Sequence, residues 1–157
     1  MRFVLIDRIL RIDEARRIVG VTTFPASADV LADHFERSPT VPGTLIVEAM
    51  VQTLAWGIIH AHAFRLIAML SLFEDACFAT PQLPSGSCAR VTGEIISTSE
   101  TDSLGRAWLE VDGTRVASIG RIIYSHVTVK NPAHLRALFA TLTAPPPDPN
   151  PGEEPSR

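Results

Sequence analysis

The chain of 157 residues is short of several things that would narrow its chemistry. It has only two cysteines, Cys77 and Cys88, too few for a disulfide framework or a zinc cage of four thiolates. The simplest reading makes them buried thiols on neighbouring strands. It has no excess of basic charge: 14 basic and 17 acidic residues give a formal net charge of −3. That argues against nucleic acid or an acidic membrane as the main partner. No Gly-x-Ser-x-Gly elbow and no phosphate-binding glycine loop occurs, so two common catalytic frameworks are missing. Met1 is not followed by a charged-then-apolar leader with a small-residue cleavage site, and a cytoplasmic location is expected.

What is present suits one compact domain. The hydrophobic share of 46% supplies a sizeable core for a chain of this length. Residues 1–142 are read as that domain. The segment 143–157 holds six of the twelve prolines and little that is apolar, and is read as a disordered tail. Two strands are expected over Phe3–Ile12 and Arg16–Phe24, with a turn at Asp13-Glu14-Ala15. Four more follow a helix, at Leu66–Ala79, Cys88–Ser99, Leu104–Val111 and Thr114–Val129. Asp112-Gly113 marks a hairpin, and the short links suggest a four-strand meander. A short helix is expected from Asn131-Pro132 to about Leu142.

The stretch Thr44–Phe64 is the most informative. It favours helix, Pro42-Gly43 provides a sharp entry, and it is apolar on nearly every face. A membrane span is disfavoured because Glu48 and Gln52 lie one turn apart on one face, and His60 and His62 end the run. The reading is a core helix wrapped by sheet. One helix cannot cover both faces of that sheet, so the open face is expected to meet another subunit.

Glu48 is therefore placed where a carboxylate loses hydration, which favours its protonated form and fits a general acid. On position alone, a structural carboxylate bonded to backbone accounts for it equally well. Gln52 on the same face would either orient it or line a cavity. Upstream, His34 lies in the irregular segment that feeds the helix, and histidine suits proton abstraction near neutral pH. An isolated loop histidine is usually only solvated; its proximity to Glu48 is what draws attention. The N–H groups of Gly43 and Thr44 at the helix start have no partner within the helix and can polarise a carbonyl. Base, acid and oxyanion donor together are the equipment for removing a proton α to a carbonyl and expelling a β-hydroxyl.

These residues carry a family resemblance. His34-Phe35, then Pro42-Gly43, then Glu48-Ala49 with Gln52 resembles the signature of bacterial 3-hydroxyacyl-acyl-carrier-protein dehydratases of the FabZ/FabA type. The opening run Phe3–Leu10 looks like that family's first strand, and the resemblance covers about residues 2–130. Glutamate at position 48 matches the FabZ branch. The resemblance implies an α+β hotdog fold, a curved antiparallel sheet around a long central helix. It also implies a homodimer or dimer-based oligomer whose active sites are shared between subunits. His34 would abstract the C2 proton, and Glu48 of the facing subunit would protonate the departing C3 hydroxyl. The Gly43 N–H, with Thr44 beside it, would bind the thioester carbonyl, and Gln52 would support Glu48. The substrate would arrive as a phosphopantetheine-linked acyl chain on acyl carrier protein, and no metal or organic cofactor is implied. Two departures stand out: Asp33 and Glu36 flank His34-Phe35 where the family has glycine and proline, and Pro84-Ser85-Gly86 replaces Pro-Gly-Asp. They suggest a divergent member, serving fatty-acid or polyketide-type biosynthesis.

A thioester hydrolase and a non-catalytic subunit that binds carrier protein are the alternatives. His60 and His62 are expected to be solvated, Trp56 to fill core rather than line an acyl tunnel, and Arg2, Arg8, Arg16, Arg17, Arg121 and Lys130 to be scattered surface charges rather than one patch.

Overall fold

The computed structural model describes residues 4–13, 16–24, 40–80 and 83–145. Six strands form one antiparallel sheet: β1 (Arg8–Asp13), β2 (Arg17–Thr23), β3 (Leu66–Phe78), β4 (Cys88–Thr98), β5 (Asp102–Val111) and β6 (Thr114–Thr128). A long helix, α1 (Gly43–Ala61), lies between β2 and β3 in sequence, and a shorter one, α2 (Ala133–Thr143), follows β6. The expected tail beyond residue 145 lies outside the described residues.

The sheet order is β1-β2-β4-β5-β6-β3, which corrects the four-strand meander. Of those four strands, β4, β5 and β6 pair in sequence order, whereas β3 pairs with β6 at the far edge. The reason is that β2 offers a free edge, and β4 takes it in register from Arg17↔Glu94 to Thr23↔Cys88. A two-residue Asp112-Gly113 turn, both residues at positive φ, joins β5 to β6 as the sequence signals. The cysteines also differ from expectation. Both are exposed, and their strands β3 and β4 are not neighbours.

Helix α1 is the core. Ten of its nineteen residues are buried, which explains why a segment long and apolar enough to cross a membrane is instead wrapped by protein. It sits unusually close to the sheet because small residues admit it. A Cβ on Gly93 would lie 3.0 Å from the Leu54 Cα, and one on Gly57 would lie 2.9 Å from Ile18. On its outward side α2 covers it: Phe139 packs against Trp56, His60 and Phe64 with ring centroids 5.1–5.8 Å apart. Trp56, 8% exposed, is thus core.

Candidate active site

The start of α1 is fixed from outside the helix. Val41 N–H donates to the Leu83 carbonyl at 2.8 Å, and Thr40 bridges Pro84, so the entry segment is tied to the link between β3 and β4. Pro42 then supplies φ −56° and ψ 136°, an extended residue from which the helix begins. The first helical bonds run from Leu45 and Ile46 N–H to the Pro42 carbonyl. The N–H groups of Gly43 and Thr44 precede that ladder on an exposed turn, where a ligand oxygen can accept them. A Cβ on Gly43 would lie 3.3 Å from the Phe78 ring, so glycine lets that aromatic close over the helix start.

One turn further in, Glu48 is half-buried. Its Oε1 accepts from Gln52 Nε2 at 2.8 Å, and Gln52 Oε1 accepts from the Leu5 backbone N–H at 2.9 Å. Thr22 Oγ1, from β2, donates to the Leu5 carbonyl. From the sheet side, Tyr124 of β6 donates to the Val51 carbonyl at 2.7 Å. Burial pushes its phenol well above the usual range, and the nearby Glu48 carboxylate adds to the shift. The phenol therefore stays neutral and remains a donor at physiological pH.

Gly43, Thr44, Glu48 and Gln52 lie within the first ten residues of α1. His34, with Asp33 and Glu36, lies outside the described residues. The described chain on either side of it is anchored to the same loop: Phe24 N–H donates to Ser87 O at 3.0 Å, and Val41, as above, to Leu83. Leu5, Thr22 and Tyr124 were not singled out from sequence. Tyr124 carried a signal, being the single tyrosine of the chain inside an apolar strand, where a phenol needs a partner. Elsewhere His62 is not simply solvated: its Nε2 meets Thr98 Oγ1 at 2.7 Å and its ring touches His126. Arg17 and Arg121 pair with Glu94 and Glu74. Among the described residues no cluster of His, Cys, Asp or Glu is arranged to hold a metal ion.

The FabA-like domain family model matches residues 1–119. The chain belongs to the FabA-like family. Among curated relatives, the 3-hydroxyacyl-[acyl-carrier-protein] dehydratase FabZ of Geobacillus sp. (strain WCH70) is 34% identical over 116 residues, 73% of this chain and 79% of that protein. The protein of the same description from Symbiobacterium thermophilum is 28% identical over 148 residues, 94% of this chain and 92% of the relative. Among solved structures, the dehydratase heterocomplex ApeI:P from Xenorhabdus doucetiae matches with TM-score 0.62 and 14% identity, covering 86% of this chain and 89% of that one. The thioesterase HI1161 from Haemophilus influenzae matches with TM-score 0.60 and 10% identity, covering 78% and 79%. At those identities the structures speak for the shared hotdog fold alone, which hosts more than one chemistry.

Proposed function

We propose that this chain dehydrates (3R)-3-hydroxyacyl thioesters, carried on acyl carrier protein, to trans-2-enoyl thioesters. The observation that carries the reading is Glu48, held by Gln52, one turn inside a helix whose exposed start presents the Gly43 N–H. His34 takes a proton from C2, and the thioester carbonyl gathers the developing charge against the Gly43 and Thr44 N–H groups. The C2–C3 double bond forms as the C3–O bond breaks. Glu48 protonates the departing hydroxyl, which leaves as water. The names of the FabZ relatives support the same substrate class.

The sites are shared in a dimer on this reading, with His34 and Glu48 supplied by facing subunits. Supporting it, β3 is a thirteen-residue edge strand whose outer side exposes backbone to pairing. Ile67, Met69, Leu70, Leu72, Phe73 and Phe78 on it are each 40–55% exposed, more apolar surface than an isolated edge usually keeps. The reading places the protein in the cytoplasm, in fatty-acid or polyketide-type biosynthesis.

Intact-mass analysis of a 3-hydroxyacyl carrier protein incubated with the chain and an enoyl reductase tests it. Loss of one water, captured as the reduced acyl product, is the expected result. Release of free acid would make the chain a hydrolase, and carrier binding without turnover would make it a binding subunit.

A further inference from the structure

The acid of the proposed reaction has two oxygens, and the structure distinguishes them. Glu48 Oε1 accepts from Gln52, while among the described residues Oε2 accepts no hydrogen bond. Which way the Gln52 amide faces is decided at Leu5. The Leu5 N–H is a backbone donor that cannot change role, so the amide atom opposite it has to be oxygen. A flipped amide would set donor against donor at Leu5 and acceptor against acceptor at Glu48, losing both bonds. Leu5 in turn precedes the ladder of β1, which begins at Arg8. Its carbonyl is held by the hydroxyl of Thr22, a residue 1% exposed where no water can take over. Three donors thus run in one direction, from Thr22 to Leu5, from Leu5 to Gln52 and from Gln52 to Glu48.

We infer that Thr22 is a positioning residue for the acid: through the Leu5 backbone it holds the Gln52 amide so that Glu48 accepts at Oε1 and carries its transferable proton on Oε2. The inference rests on the dehydratase reading of Glu48. It extends the working site to the opening segment of the chain and to β2.

The test is a double-mutant cycle of Thr22→Val and Gln52→Leu on the full chain, read as kcat and KM for dehydration. T22V is expected to lower kcat about tenfold with KM unchanged, the equivalent of one ordinary hydrogen bond. T22S, which keeps the hydroxyl, restores it. Because Thr22 acts through Gln52, adding T22V to Q52L lowers kcat no further. Wild-type kcat in T22V, or fully multiplicative effects in the double variant, overturns the inference. Should T22V fail to fold, the link through which Thr22 would act is still testable in the unaltered protein, as the scalar coupling across the hydrogen bond between Leu5 15N and Gln52 13Cδ. Its presence is expected, and its absence refutes the arrangement. Glu48→Gln separates the two levels: wild-type dehydration by E48Q removes the reading of Glu48 as the acid, whereas an inactive E48Q beside a fully active T22V removes only the role of Thr22.

Discussion

Gly105→Ala should unseat the central helix. A Cβ built on Gly105 lies 2.7 Å from the Glu94 carbonyl oxygen and 2.7 Å from Leu54 Cδ2. Ordinary contacts settle at about 3.5 Å or more, so something has to yield by more than about half an ångström. Glu94 belongs to the neighbouring strand, and Leu54 is fully buried in α1, so neither moves freely. Overpacking of this kind costs about 1–3 kcal/mol, which for a domain of this size lowers Tm by about 3–10 °C. Urea unfolding should show a lower midpoint at an unchanged slope. Leu54→Ala alone costs about 2–5 kcal/mol as a cavity. Combined with G105A it should cost about 1 kcal/mol less than the sum, because the new methyl enters the vacated space. A G105A midpoint equal to wild type, or strict additivity with L54A, would refute the close seating that positions Glu48.

Acid should weaken the fold through His62. Its pKa is lowered from 6.5 by burial first, then by the His126 and Arg65 charges, with Glu100 opposing. The unfolded chain therefore takes up the proton more readily, so this contribution is complete above pH 6.5 and is lost as pH falls below it. Urea midpoints between pH 7.5 and 5 should fall for wild type and fall less for His62→Gln; parallel curves would show that His62 is not responsible. Tyr124→Phe removes the buried bond to the Val51 carbonyl and should cost about 1 kcal/mol in urea unfolding, whereas an unchanged midpoint would mean that the helix does not use that bond.

Much of this was legible because it is local. The run from Gly43 to Ala61 is apolar all round, so it announces a core helix, and the four-residue step from Glu48 to Gln52 places them on one face before any coordinates exist. The Asp112-Gly113 turn is legible for the same reason: the chemistry that forms it lies within two residues. What stayed hidden is long-range. Whether β3 lies beside β4 or β6 depends on which strand edges remain free after α1 is packed, and nothing within β3 records that. The second partner of Gln52 is Leu5, 47 residues away. Thr22 looks like one more β-branched strand residue until the Leu5 carbonyl is seen against its hydroxyl. The His62–Thr98–Ser103–His126 chain of hydrogen bonds likewise spans sequence separations of 36 residues from His62 to Thr98 and 23 from Ser103 to His126.

The most direct test of the account is the dehydration rate of a 1:1 mixture of His34→Ala and Glu48→Gln chains, unfolded and refolded together, against each variant alone. If each site takes His34 from one subunit and Glu48 from the other, each variant is inactive. Random pairing then restores about a quarter of the wild-type rate, since half the dimers are mixed and each of those rebuilds one of its two sites. Turnover by E48Q or H34A alone, or a mixture as inactive as its components, would contradict it.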